Sequence, residues 1–151
     1  MVESDEEARA AFGKKNPYRH GILPVLVVID NASGQTLRLH NLKAEYLRPD
    51  RSRVEATPAA EVRYASGARK PNVDIGPAGP RVSRRKNPLD SWEIEGRALA
   101  AKLIPAGESA SGFVYFQTGF QVNSVLYITG IEEAGTGKEL FYFEIPLRDA
   151  R

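Results

Sequence analysis

The sequence predicts a mainly β domain: a β-sandwich of six to seven strands with a short N-terminal helix and one helix inserted late. Three observations lead there. Short runs rich in aromatic and β-branched residues recur along the chain, most densely in its last third. Ten prolines and thirteen glycines separate those runs with turn chemistry. Only two stretches carry helix signals. A partly open barrel is the competing architecture for the same pattern. The 151 residues suit one core, and 42% hydrophobic with 26% charged residues is ordinary globular composition.

Ser4-Asp5-Glu6-Glu7 reads as a capping box, Ala8, Ala10, Ala11 and Phe12 favour a short helix, and Gly13 ends it. Phe12 is its docking residue. With the turn chemistry of Asn16-Pro17-Tyr18-Arg19-His20-Gly21, residues 1–21 form an N-terminal helix and turn, and residues 22–151 the sandwich. Residues 22–29 are apolar on both alternating faces, which predicts a strand buried on both sides. Pro24 cannot donate to a ladder, so pairing is expected from Val25. Asp30-Asn31-Ala32-Ser33-Gly34 is a turn signal.

Residues 37–47 start a second strand with Leu37 and Leu39 on one face, but Leu42, Ala44 and Tyr46 continue the apolar set from even numbers. A bulge near Asn41 would repair that slip. A weaker strand is expected over residues 60–64, and residues 65–88, broken by Gly67, Pro71, Gly76, Pro77, Gly79, Pro80 and Pro88, read as an irregular loop. Residues 90–103 predict the inserted helix, with Trp92, Leu99 and Leu103 near one face and Gly96 weakening its middle. Three strands close the chain, over 112–117, 124–131 and 139–147, the last two joined through Gly135-Thr136-Gly137. If the aromatic-rich last strand lies at an edge, it offers a place for strand addition by a partner.

The chain has no cysteine, which removes disulfides, thiolate metal sites and cysteine nucleophiles together. No stretch approaches the roughly 18 to 20 apolar residues that span a bilayer, and the acidic N-terminus has no apolar signal region. Net charge is +2, but residues 63–86 hold seven Arg and Lys against Asp74 alone. Arg81, Arg84, Arg85 and Lys86 in this basic loop are the candidate anion-binding residues, able to neutralise phosphates or an anionic polymer. No aromatic lies between Tyr64 and Trp92 to supply a stacking platform.

Other candidates read as structural. Ala134-Gly135-Thr136-Gly137-Lys138 looks like the tail of a phosphate-binding loop, but Glu132 stands where the pattern needs glycine and a strand follows instead of a helix. His20 and His40 have no metal-ligand spacing and no activated partner. Glu93 with Glu95, and Glu132 with Glu133, read as solvated pairs, since acid–base work needs carboxylates in different environments. Asn31-Ala32-Ser33 matches a glycosylation sequon, for which a turn asparagine is sufficient explanation. The residues point to no catalytic site, no metal and no cofactor.

The run Leu23-Pro24-Val25-Leu26-Val27-Val28-Ile29-Asp30-Asn31, then Ile104-Pro105-Ala106-Gly107-Glu108 feeding Gly112-Phe113-Val114-Tyr115-Phe116, resembles bacterial immunoglobulin-like envelope domains of the lipoprotein type. The likeness extends more distantly to the mycobacterial secreted immunoprotective antigen group. It covers most of residues 22–146; the basic loop and the helix near Trp92 depart from it. It implies an immunoglobulin-like sandwich acting by binding, with no catalytic residue to carry over. The expected function is a non-enzymatic binding or structural module of the cell envelope, its partner another protein or an envelope component. The expected location is periplasm or outer envelope if Met1 stands where a targeting segment has been removed, and otherwise cytoplasm. The alternative is a cytosolic nucleic-acid-binding protein using the basic loop.

Overall fold

The computed structural model describes residues 4–13, 15–65, 72–83, 87–90 and 92–148. Helix α1 (Asp5–Phe12) starts on the capping box: Glu7 N–H donates to the Ser4 hydroxyl at 3.1 Å and Ser4 N–H to the Glu7 carboxylate at 3.3 Å. Three acidic residues in its first turn complement the helix dipole. A 3-10 turn (Pro17–His20) then feeds β1 (Leu23–Asp30). There follow β2 (Leu37–Arg38), β3 (Lys43–Leu47), β4 (Arg53–Glu55), a second 3-10 turn (Ala59–Tyr64), and the hairpin β5 (Asn72–Gly76) and β6 (Gly79–Ser83). Helix α2 (Trp92–Gly96), β7 (Leu103–Ile104), β8 (Ser109–Phe116), β9 (Val125–Thr129), β10 (Glu132–Glu133) and β11 (Phe143–Pro146) complete the chain.

The fold is mainly β, in small antiparallel sheets. Strand β1 pairs with β8; β2 lies between β10 and β7; a larger sheet runs β11-β9-β3-β4; and β5–β6 pair with each other. Leu23, Val25, Val27 and Phe116 of the β1–β8 layer pack against Ala44, Tyr46, Leu126 and Ile128 of β3 and β9, with Leu37 and Ile104 joining them. A second cluster lies on the far face of β8, where Phe113 and Tyr115 meet Phe12, Ile22, Val62, Leu89 and Ile94. The Phe12 and Phe113 rings are 4.9 Å apart, and the Tyr115 hydroxyl donates to the Ile94 carbonyl at 2.6 Å. Burial pushes the Tyr115 phenol pKa well above its usual range.

Several expectations are corrected. Strand β1 is buried on both faces only over Leu23, Pro24 and Val25; Leu26 and Val28 are 49% and 64% exposed, because the helical cluster covers Phe113 and Tyr115 of β8 and stops short of these neighbours. Pairing of β1 begins at Leu23 and includes Pro24. The slip near Asn41 is not a bulge. A turn closed by Leu42 N–H to the Leu39 carbonyl ends one strand, and β3 begins in another sheet. Residues 60–64 form the 3-10 turn, and the expected irregular loop contains the β5–β6 hairpin. The described residues form eleven short strands, against the six to seven expected.

The inserted helix stops at Gly96 because the next residues pair with β8. Phe113 N–H donates to the Arg97 carbonyl at 2.8 Å, and Leu99 N–H to the Phe113 carbonyl at 3.0 Å. Ile94 takes the buried place expected of Trp92, which is 76% exposed. This crossing needs a glycine at 112: a Cβ there would lie 2.4 Å from the Leu99 backbone nitrogen and Cα.

Asn31, at the end of β1, is 1% exposed and satisfied on every side. Its Nδ2 donates to the carbonyls of Gln35, Ile104 and Pro105 at 2.7, 2.9 and 3.0 Å, and its Oδ1 accepts from Ser33 N–H and Oγ. Its backbone bonds to Glu108 and Gly107. One amide therefore joins the β1–β8 layer to the end of β7.

Two stability outcomes follow, both read by urea denaturation. Gly112→Ala destabilises the chain by about 3 kcal/mol, since backbone rather than a flexible side chain must yield. Asn31→Ala removes roughly 2 kcal/mol or more by stranding buried carbonyls, and Asn31→Asp removes more by placing a carboxylate among them.

Candidate functional site

The β1–β8 layer has one closed edge and one open one. The carbonyls of Tyr115 and Phe113, opposite Pro24 and Leu26, bond away from β1, to Thr57 and Leu99. Asn31, just beyond β1, bonds towards β8. By the two-residue alternation of an antiparallel ladder, the odd residues of β1 face β8, while Pro24, Leu26, Val28 and Asp30 direct their backbone groups to the open edge. Among the described residues nothing bonds to them there. Pro24 falls where its missing N–H breaks no pairing.

Strand β11 is the other open edge. Leu147 N–H bonds to the Ser124 carbonyl of the chain leading into β9, so Phe143 and Ile145 point their backbone groups inward, and Glu144 and Pro146 outward. Phe143 and Ile145 sit opposite Ile128 and Leu126, which are 3% and 2% exposed. Yet Phe143 and Ile145 remain 42% and 43% exposed. Their side chains lie on the core-facing side of the sheet, and among the described residues they are only partly covered.

Between the two edges runs an apolar groove of about 310 Å³. Val27 and Ile29 of β1 form one wall, Phe143 and Ile145 the other, with Leu37 and Ile131 between them. Asp30 is the one charged residue among its described lining. We call this groove the seam.

The residues singled out from sequence do not gather there. Arg84, Arg85 and Lys86 lie outside the described residues, and Arg81 is in β6, in register with Asp74. Ala134-Gly135-Thr136-Gly137-Lys138 forms a turn, with Gly137 N–H on the Glu133 carbonyl and Lys138 returning to pair with Glu133. Glu95 pairs with Arg63, whose guanidinium this carboxylate holds above its usual pKa. Glu132 takes Asn41 Nδ2 at 2.9 Å, and Glu133 takes Thr136 Oγ1 at 2.8 Å. His40 is exposed beside a separate polar cleft with Lys43, Glu132 and Glu139. The sequon asparagine spends its Nδ2 inside the fold, as described. Among the described residues, no three His, Asp or Glu side chains converge as metal ligands, and no helix is long and apolar enough to cross a membrane.

The seam was missed in the sequence although a signal was present. Proline inside a strand marks an open edge, and both edge strands carry one, Pro24 and Pro146. No protein family, curated protein or solved structure matches the chain.

Phe143 and Ile145 are the exposed residues of the seam, so these two side chains contribute less to folding than the buried row opposite them. Ile145→Thr is expected to change stability by less than about 1 kcal/mol, while Ile128→Thr, opposite Phe143 in the buried neighbouring strand, costs roughly 2 kcal/mol or more. Thermal and urea unfolding of the two variants makes the comparison.

Proposed function

We propose that this chain is a non-enzymatic binding module, an immunoglobulin-like sandwich with one strand position open, which receives a partner protein at the seam and works in the bacterial cell envelope. The observation that carries the reading is the exposure of Phe143 and Ile145. Apolar side chains in register with a buried core row are ordinarily covered, and an uncovered row between two strand edges marks an interaction site. The lining supports binding over chemistry: its polar groups are few, and the Asn31 amide is fully engaged by the fold. The envelope assignment draws on the resemblance of the Leu23–Asn31 run and the Pro105-Ala106-Gly107-Glu108 turn, two stretches that Asn31 joins directly.

A photo-reactive residue introduced in living cells tests both parts. Placed at Val28 or Phe143, it is expected to yield one discrete heavier adduct in the envelope fraction. Placed at Glu55, on the exposed β4 at the other end of the larger sheet, it yields none. Equal adducts from all three positions, or none from the seam, overturn the binding site. Recovery of the protein only from the cytosol overturns the envelope assignment.

A further inference from the structure

We propose that the occupant of the seam is an extended segment of a partner protein, added as a strand to the open edge of β1, with apolar side chains at alternate positions and basic residues flanking them. The inference rests on the seam being the binding site and specifies what enters it.

The backbone says that the occupant is a strand. Leu26, Val28 and Asp30 present an N–H and a carbonyl each, at every second residue, along an edge to which nothing bonds among the described residues. Only an extended chain repeats its own donors and acceptors at the matching spacing of about 7 Å. Strand β11 is the poorer acceptor, although its aromatic content suggested it. Pro146 has no N–H, which leaves Glu144 as the one outward donor of that strand.

The side chains say that the occupant is apolar in alternation. A strand beside β1 continues its layer, so every second side chain points into the groove against Phe143 and Ile145. The intervening side chains lie beside Leu26 and Val28 on the outer face, where β-branched residues pair well. The charges fix the flanks. Asp30 ends the acceptor edge as the one charged residue of the described lining, which holds no Lys or Arg. Edge strands are commonly guarded by lysine; this one ends in the Asp30 carboxylate, which repels acidic segments and attracts basic ones. A second copy fits less well. It would bring its own Asp30 to the same rim, and the inward side chains of its β1, Val25 and Val27, are already buried in its own core.

Titration calorimetry of the full chain against synthetic peptides tests this. The probe peptide alternates valine and threonine over seven residues, with two lysines at each end. Its controls are the same composition with the valines consecutive, and the same core with glutamate flanks. Val28→Pro deletes one outward N–H without removing a bond to β8, so thermal unfolding should stay within a few degrees of the parent. The expected result is binding of the lysine-flanked alternating peptide, weakened about tenfold or more by Val28→Pro. The consecutive and glutamate-flanked peptides should bind more weakly, the charge preference fading at high salt.

Binding that Ile145→Lys abolishes but Val28→Pro leaves unchanged overturns strand addition and keeps the seam as the site. Binding indifferent to both substitutions overturns both readings. A concentration-dependent dimer in sedimentation, lost with Val28→Pro and with no peptide bound, makes the occupant a second copy and overturns the proposal.

Discussion

The architecture depends on one buried side-chain amide. Asn31 stands where β1 leaves the β1–β8 layer, and the carbonyls of Gln35, Ile104 and Pro105 all converge on its Nδ2. Three segments far apart in sequence would otherwise bury unpaired acceptors at one point. A hydroxyl has one hydrogen to give and a carboxylate has none, whereas the amide nitrogen has two, one of them shared between two of the three carbonyls. The short β7 owes its position beside β2 to the same convergence, and through it the β10-β2-β7 sheet closes one end of the main core. With that end fixed, the direction of β1 is set, and so is the edge it leaves open.

Strand β8 is the counterpart of β1, and the two differ in what covers them. Phe113 and Tyr115 on its outer face are sealed by α1, the Ala59–Tyr64 turn and α2, and its far edge is taken by Thr57 and by residues 97–99. Among the described residues nothing equivalent reaches Leu26 and Val28 of β1. The contrast gives the groove its chemistry: an apolar inner row, an outer row of Leu26 and Val28, and the Asp30 carboxylate at the margin. Two packed sheets that ended at the same strand would bury Phe143 and Ile145; here β11 extends beyond the β1–β8 pair.

Much of the local structure was legible in the sequence. The capping box at Ser4, the turn at Gly135-Thr136-Gly137 and the three closing strands follow from short-range chemistry that operates wherever the segments lie. What was lost depends on distant partners. An apolar run reads as doubly buried whether or not a helix covers its second face, so residues 22–29 could not reveal that Leu26 and Val28 face solvent. A segment with helical signals becomes extended when a strand edge is available, as residues 97–99 show against Phe113. The phase slip at Asn41 was visible, but a bulge and a change of sheet leave the same mark. The seam itself is a relation between two strands at opposite ends of the chain, and its sequence trace is limited to Pro24 and Pro146.

The pairing of β1 with β8 also governs when this protein can exist during its own synthesis. Leu23 meets Phe116, so β1 has no ladder partner until the chain has been translated through β8. Until then β1 emerges as an apolar ribbon with both edges bare, next to a larger sheet that is itself incomplete without Val125–Thr129. Long-range pairing of this kind slows folding and lengthens the interval in which a nascent chain is open to mispairing. Once β8 arrives, one edge is satisfied for good. The other keeps the receptive character that both edges had on the ribosome, so the mature molecule carries forward one feature of its own unfinished state.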